Sequence, residues 1–274
     1  MQRTNTKRLI EASLMVALAT VLSLIKLVEM PYGGSITVAS MLPIIIISYR
    51  HGSLWGLGSA VVYAALQQLT GLNTLSYFTT WQSVLAVILL DYIIAFTLVG
   101  LGGVFKKVIK SQPLALTAGA VMVSLLRYIC HTIGGATVWA GLSIPDSAAL
   151  IYSIGYNATY MLPETIILAA VAFYLGGVID FRRELPTRVR KIGDSLAGVL
   201  YGVGGLVLLV SHITDVAIIA PTLQDESGMF VLSRLGEANW VAVIIVTAIA
   251  LLLSAALFIY ATVRAKKLDI NLSK

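Results

Sequence analysis

Long apolar stretches bounded by charged residues dominate this sequence. Apolar residues make up 58% of its 274 positions and charged residues only 12%, about half the charged share of an ordinary soluble domain. A helix needs roughly 20 apolar residues to cross the hydrocarbon core of a bilayer. Eight stretches near that length predict spans, at residues 8–29, 35–49, 53–71, 81–103, 113–141, 148–178, 196–218 and 239–263. The second is short and contains Pro43, so we expect it to be tilted, kinked or partly re-entrant.

The basic residues predict how these spans are oriented. When the segments between spans are taken alternately, one set carries most of the lysines and arginines, which is typical of cytoplasmic loops. This set contains 16 of the 19: Arg3, Lys7, Arg8, Arg50, Lys106, Lys107, Lys110, Arg182, Arg183, Arg188, Arg190, Lys191, Arg264, Lys266, Lys267 and Lys274. The pattern predicts an all-α polytopic membrane protein with both termini in the cytoplasm. Anionic lipid accounts for the basic loops, so the net charge of +6 does not call for nucleic acid as a partner.

A polar and basic segment at 180–194 divides the chain. It predicts a six-span unit, residues 1–184, followed by a linker and an appended two-span hairpin, residues 185–274. Cys130 is the only cysteine, which excludes an intrachain disulfide and the usual cysteine metal sites. The chain lacks GxxxxGK[ST], HExxH and GxSxG, so no familiar nucleotidase or hydrolase site is predicted. We expect a protein that is not an enzyme and needs no cofactor.

Three spans carry polar residues at one depth. Asp91 lies ten residues into the fourth span, His131 ten residues from the outer end of the fifth, and Asn157 nine residues into the sixth. At 1.5 Å per helical residue, all three are predicted roughly 14 Å below the outer surface. Because polar groups at membrane depth cost free energy, such residues are functional candidates by default.

Aromatic residues are predicted to line the way down to this level. Trp81 opens the fourth span, Tyr92 adjoins Asp91, Trp139 lies eight residues outward of His131, and Tyr152 begins the sixth span. A carboxylate beneath aromatic walls suits a small, flat, cationic and nitrogen-rich solute. The tryptophans could instead belong to an interfacial belt, and Asp91 could form a structural ion pair.

Arg127 and Glu164 are predicted to lie deeper than this polar level. Counted from the outer ends of their spans, they are 14 and 16 residues in. A buried structural ion pair is the favoured interpretation.

Several stretches of the six-span unit match a known family. They are MPYGGSITVASMLPI at 30–44, YRHG at 49–52, QSVLAVILLDYIIAF at 82–96, YSIGYN at 152–157, and the spacing between His131 and Trp139. Over about residues 8–180 the chain resembles the thiamine-specific substrate-binding subunit, or S-component, of bacterial energy-coupling factor (ECF) vitamin transporters. The last 90 residues fall outside that pattern.

The resemblance implies roles for individual residues. Asp91 and His131 would contact the aminopyrimidine of thiamine, Tyr152 and Asn157 would add hydrogen bonds, and Trp139 would stack. Some relatives have Glu where this chain has Asp91, so the carboxylate here is one methylene shorter. Tyr92 and Trp81 complete the predicted substrate-binding set.

The resemblance also implies partners. S-components lack an ATPase and dock on a transmembrane coupling subunit that two cytoplasmic ATPase subunits drive. Docking would use small residues on the first span, where Ser13 and Ala17 have small-xxx-small spacing.

Alternatives to thiamine capture remain open from the sequence alone. The chain could be an S-component for another heteroaromatic vitamin or a thiamine precursor. It could be an intramembrane enzyme that uses Asp91 and His131 as an acid–base pair, although no nucleophile or metal motif accompanies them. An ion-coupled carrier is disfavoured because no internal repeat is visible.

Overall fold

The computed structural model describes residues 2–30, 33–140, 148–189, 195–226 and 231–272. Pro31 and Tyr32 of the first matching stretch, the predicted span end at Gly141, and the basic residues Arg190, Lys191 and Lys274 lie outside the described residues. Within the described part, eight helices of ten or more residues follow one another: α1 Gln2–Leu24, α2 Leu42–His51, α3 Ser53–Thr70, α4 Trp81–Lys107, α5 Gln112–Thr137, α6 Ala149–Val178, α7 Ser195–Ile219 and α8 Trp240–Leu272.

The predicted helical membrane fold is confirmed. Among the described residues, five helices, α4 to α8, are each long and apolar enough to cross a membrane. Their bounds lie within a few residues of the predicted stretches, apart from α8, which continues to Leu272. The first predicted stretch is helical only as far as Leu24, because Lys26–Glu29 forms strand β1.

The second predicted span is wrong in its first half. Residues 35–37 form strand β2 (Ser35–Thr37), and α2 begins only at Leu42, with Pro43 in its first turn. Ten helical residues extend only about 15 Å, which is half the thickness of a bilayer core. All eight residues from Leu42 to Tyr49 are buried. This stretch is therefore apolar because it lies inside the protein, not because it faces lipid.

Strands β1 and β2 form a small antiparallel hairpin between α1 and α2. Val28 pairs with Ile36 and Glu29 with Ser35, with a bulge next to Lys26. A second pair of short strands, β3 (Ile179–Asp180) and β4 (Thr187–Arg188), follows α6. It joins residues on both sides of the predicted domain boundary at 184.

Glycines allow the central helices to approach closely. A Cβ built on Gly119 of α5 would lie 1.8 Å from the carbonyl oxygen of Gly102 in α4. One built on Gly56 of α3 would lie 2.3 Å from the carbonyl oxygen of Gly100. Small residues serve this purpose in membranes, where helix association depends on close packing and hydrogen bonds rather than on hydrophobic burial. These contacts fix α3, α4 and α5 around the polar interior described below.

The appended helices α7 and α8 pack on each other. Ser254 donates a hydrogen bond to the carbonyl oxygen of Gly204 (2.8 Å), and Thr247 donates to the buried carboxylate of Asp215 (2.8 Å). The outer face of α8 carries many exposed apolar side chains, among them Leu252, which is 73% exposed. Such a face suits contact with lipid acyl chains.

Candidate ligand-binding cavity

A cavity of about 320 Å³ lies between the β1–β2 hairpin, the end of α3, and helices α4, α5 and α6. This volume is near the lower end of the roughly 300–1,000 Å³ that is usual for small-molecule sites. Its wall combines aromatic rings with carboxylate, imidazole, amide and hydroxyl groups. It can therefore surround one small polar and aromatic molecule.

Asp91 is held on this wall by an irregular turn of α4. The segment Ile88–Ile94 is π-helical, between α-helical Trp81–Val87 and Ala95–Thr97. Short π-helical segments inside α-helices occur frequently at functional sites. The extra residue in such a turn alters which side chains of α4 point inward. Sequence periodicity contains no signal for it.

The Asp91 carboxylate contacts two side chains, one on α5 and one just after it. Its Oδ1 lies 3.1 Å from Nδ1 of His131 on α5, and its Oδ2 accepts a hydrogen bond from Nε1 of Trp139 (3.0 Å). The Asp91 and His131 side chains are each only 12% exposed. A Cβ built on Gly134 would lie 2.6 Å from Asp91 Oδ1, so the carboxylate fits here only because residue 134 has no side chain.

His131 retains one unused hydrogen-bonding atom. Its Nε2 is buried and has no hydrogen-bond partner among the described residues. Leaving a buried polar atom unpaired costs about 1 to 3 kcal/mol. Since His131 lines the cavity, a ligand with a complementary donor or acceptor would remove that cost.

Asn157 links α6 to the same cluster. Its Nδ2 donates to the main-chain oxygens of His131 (3.2 Å) and Ser153 (2.9 Å), and its Oδ1 accepts from the Tyr160 hydroxyl (2.6 Å). The amide is 4% exposed. Asn157 therefore orients the wall of the cavity as well as forming part of it.

Aromatic rings and the β1–β2 hairpin complete the enclosure. Trp139 packs edge-on against Phe78, with ring centroids 4.7 Å apart. The Tyr92 hydroxyl donates to Thr74 (3.2 Å), and the Tyr156 hydroxyl donates to the carbonyl oxygen of Gly33 (2.9 Å). Gly33 and its neighbour have positive φ angles of 108° and 90°, which L-residues with side chains rarely adopt.

The predicted deep ion pair is present. Arg127 Nη1 lies 3.1 Å from Glu164 Oε2, and both side chains are almost fully buried. Thr37 of β2 donates to the other Glu164 oxygen (2.7 Å), and the Arg127 guanidinium lies 4.4 Å from the centroid of the Phe96 ring. Both charged residues line the cavity. They are therefore part of its wall, whereas their depth in the spans predicts a position below its floor.

Comparison with known proteins identifies the family. Residues 9–180 match the family described as thiamine transporter protein (Thia_YuaJ). The chain belongs to this family. It is 35% identical over 175 residues to a protein named thiamine transporter ThiT from Bacillus subtilis (strain 168), covering 60% of this chain and 87% of that one. A solved structure of ThiT from Listeria monocytogenes has the same fold, with 22% identity, a TM-score of 0.52, and coverage of 63% of this chain and 94% of that one.

Membership in this family makes the chain a multi-pass membrane transport protein rather than an enzyme. The matched residues end at 180, so α7 and α8 lie beyond the family region. The cavity and its polar cluster lie wholly within that region.

The structure brings most of the predicted substrate-binding residues together. Asp91, Tyr92, His131, Trp139 and Asn157 all line the cavity.

Two predicted substrate-binding residues lie elsewhere. Tyr152 packs with Trp139 and Phe78 in a small apolar cluster and is not on the cavity wall. Trp81 is 70% exposed at the start of α4 and also lies away from the cavity. Its position fits the alternative prediction for tryptophans at span ends, a belt of aromatic residues at the membrane interface.

Sequence reasoning missed the contribution of the β1–β2 hairpin. Lys26, Glu29 and Thr37 line the cavity, and Lys26 Nζ pairs with Glu29 Oε1 at 2.5 Å. Both strands fall within stretches that hydropathy predicts as membrane spans. The Gly33–Gly34 pair was the available signal, because adjacent glycines favour a turn.

The predicted docking residues lie on an open face of α1. Ser13 and Ala17 are exposed, together with Leu14 (67%) and Leu18 (47%). The Ser13 hydroxyl donates to the carbonyl oxygen of Leu9 in its own helix (2.9 Å). Its hydrogen-bonding capacity as a donor is therefore satisfied without a second protein. This face can therefore contact lipid or another membrane helix.

Proposed function

We propose that this chain is a substrate-binding subunit that captures thiamine from outside the cell and delivers it to the cytoplasm with an ATP-driven ECF module. The observation that carries the proposal is the cluster of Asp91, His131 and Trp139 in a cavity of suitable size. Thiamine has a permanently cationic thiazolium and an aminopyrimidine with donor and acceptor edges. A desolvated carboxylate, an unpaired imidazole nitrogen and an indole ring match these features.

The same geometry fits related ligands less specifically. Another heteroaromatic vitamin or a thiamine precursor could use the imidazole and amide groups of the cavity. Thiamine is favoured because of the family and because its fixed positive charge complements the Asp91 carboxylate. An acid–base enzyme is disfavoured because the family consists of transporters.

The proposed topology has both termini in the cytoplasm. Several basic segments meet at one end of the protein: Lys106 donates to the main-chain oxygen of Arg50 (3.4 Å), and Arg182 to that of Lys110. Gly71 and Thr74, which follow α3, and Trp139, which follows α5, form part of the cavity wall. They lie at the ends of α3 and α5 that are opposite to the basic segments. The positive-inside rule therefore directs the cavity outward. We also propose that the chain has two units: residues 1–184, which would bind thiamine, and residues 185–274, which form the linker and hairpin.

We propose that a partner complex supplies the energy for transport. The exposed α1 face around Ser13 and Ala17 would dock on the ECF transmembrane coupling subunit, which two cytoplasmic ATPase subunits would drive. The chain alone in liposomes should then bind thiamine without accumulating it. Adding the ECF module with ATP should produce accumulation. Uptake driven by a proton or sodium gradient alone would contradict this proposal and favour a carrier.

A fluorescence experiment distinguishes Trp139 from Trp81, two of the four tryptophans in the chain. Because Trp139 lines the cavity and Trp81 does not, thiamine should quench the fluorescence of the parent protein and of Trp81→Phe. Quenching should be largely lost in Trp139→Phe. The affinity of this variant for thiamine should also fall, because the hydrogen bond from the indole N–H to Asp91 is removed. Equal quenching in the two variants would mean that the ligand does not contact Trp139.

A further inference from the structure

A cluster of cations surrounds Tyr49 at the end of the protein opposite the cavity. Tyr49 is the last fully buried residue of α2, with 0% exposure. Lys106 Nζ lies 5.1 Å from the centroid of its ring, and Arg182 Nε lies 3.2 Å from its hydroxyl oxygen. The two cations come from different segments, the end of α4 and the chain after α6, and both are exposed. Tyr49, together with the main-chain oxygens of Arg50 and Lys110, thus holds two cationic groups at the protein surface.

The nearby carboxylates are all paired with other basic residues. Glu11 binds Arg50 and His51, Asp180 binds Arg183 (3.1 Å), and Glu184 binds Lys7 (2.7 Å). The main-chain N–H of Arg182 and the guanidinium of Arg183 hold the pKa of Asp180 below its ordinary value, so this carboxylate is charged and occupied. Among the described residues, neither Lys106 nor Arg182 has a carboxylate within ion-pair distance.

Apolar side chains flank these cations. Val108, two residues after Lys106, is 78% exposed, and Leu185, three residues after Arg182, is also 78% exposed. Exposed apolar groups beside cations are typical of surfaces that lie at the boundary between headgroups and acyl chains. A soluble anion would leave both apolar side chains in water, whereas a phospholipid would cover them.

We propose that Lys106 and Arg182, organised by Tyr49, form a binding site for the phosphate of one anionic phospholipid in the inner leaflet. This goes beyond the general attraction of basic loops to anionic membranes, because it assigns the headgroup to two particular side chains. The leaflet follows from the proposed topology, but the site does not depend on the identity of the transported ligand.

The test uses the detergent-solubilised full-length chain and native mass spectrometry with added phosphatidylglycerol or phosphatidylcholine. The parent should retain phosphatidylglycerol preferentially. A hydrogen bond from a charged group to the phosphate contributes at least about a tenfold gain in binding, so Lys106→Gln with Arg182→Gln should weaken retention roughly 100-fold. If that double variant folds poorly, Lys106→Gln alone, at an exposed position, should weaken it about tenfold. Lys106→Arg should retain the lipid.

A matched control removes the same charge elsewhere at this end. Arg8→Gln with Lys107→Gln changes two cations that have no contact with Tyr49 and should weaken retention less than about fivefold, since exposed charges that form no defined contact contribute little. If both double variants lose phosphatidylglycerol equally, the lipid is held only by diffuse charge attraction, and the proposed site is wrong. Thermal stabilisation by inorganic phosphate equal to that by phosphatidylglycerol would overturn a lipid as the occupant.

Discussion

Arg127→Met is expected to lower the free energy of unfolding by about 3 to 5 kcal/mol, because it leaves the Glu164 carboxylate buried without its cation. Arg127→Met combined with Glu164→Leu should recover most of that loss, since two apolar residues of similar size remove the uncompensated charge. Thr37 would keep a hydrogen bond to Ser40 (2.8 Å) in the double variant. Thermal unfolding in detergent and the yield of folded protein measure both effects.

An exposed ion pair provides the control for this experiment. Lys7 and Glu184 are 2.7 Å apart, but their side chains are 64% and 78% exposed. Lys7→Met should therefore leave the thermal unfolding midpoint nearly unchanged. If the losses from Arg127→Met and Glu164→Leu simply add in the double variant, the two residues are not energetically paired.

Asp91→Asn should reduce thiamine affinity roughly ten- to a hundred-fold while the protein remains folded. The change keeps the shape of the side chain, and an amide oxygen can still accept from Trp139 Nε1. It removes the negative charge, and a hydrogen bond to a charged group contributes about 1.5 to 3 kcal/mol. Titration calorimetry of the parent and the variant measures the difference.

Asp215→Asn is the matched control for the loss of charge. Asp215 is also a buried carboxylate in an apolar helix, bonded by Thr247, but it lies in the appended hairpin and away from the cavity. Its substitution should leave thiamine affinity unchanged. If Asp91→Asn binds thiamine as tightly as the parent, Asp91 is a packing residue and the cavity binds its ligand by other groups.

Much of the architecture follows from hydropathy and charge. The long apolar stretches predicted α4 to α8 closely, because a bilayer requires apolar helices of a given length. Counting helical rise from the span ends predicted that Asp91, His131 and Asn157 converge, and they do. The Arg127–Glu164 pair followed from the cost of an isolated charge at membrane depth.

Other features depend on tertiary contacts that hydropathy does not contain. A residue buried in protein and one facing lipid are equally apolar, so hydropathy predicts one short tilted, kinked or re-entrant span at 35–49, where the structure has a strand and then the buried helix α2. The π-helical turn at Asp91 and the β1–β2 hairpin depend on packing around the cavity. Trp81 and Trp139 both lie near span ends, and only the fold distinguishes the exposed ring from the one on the cavity wall.

Calorimetric titration of the purified, detergent-solubilised chain with thiamine tests the proposed function most directly. Riboflavin and biotin serve as comparison ligands, because they are vitamins without a permanently cationic ring. The cavity chemistry predicts saturable binding of thiamine at one site, with no saturable binding of the other two. Absence of heat with thiamine, together with saturable binding of riboflavin or biotin, would contradict the assignment.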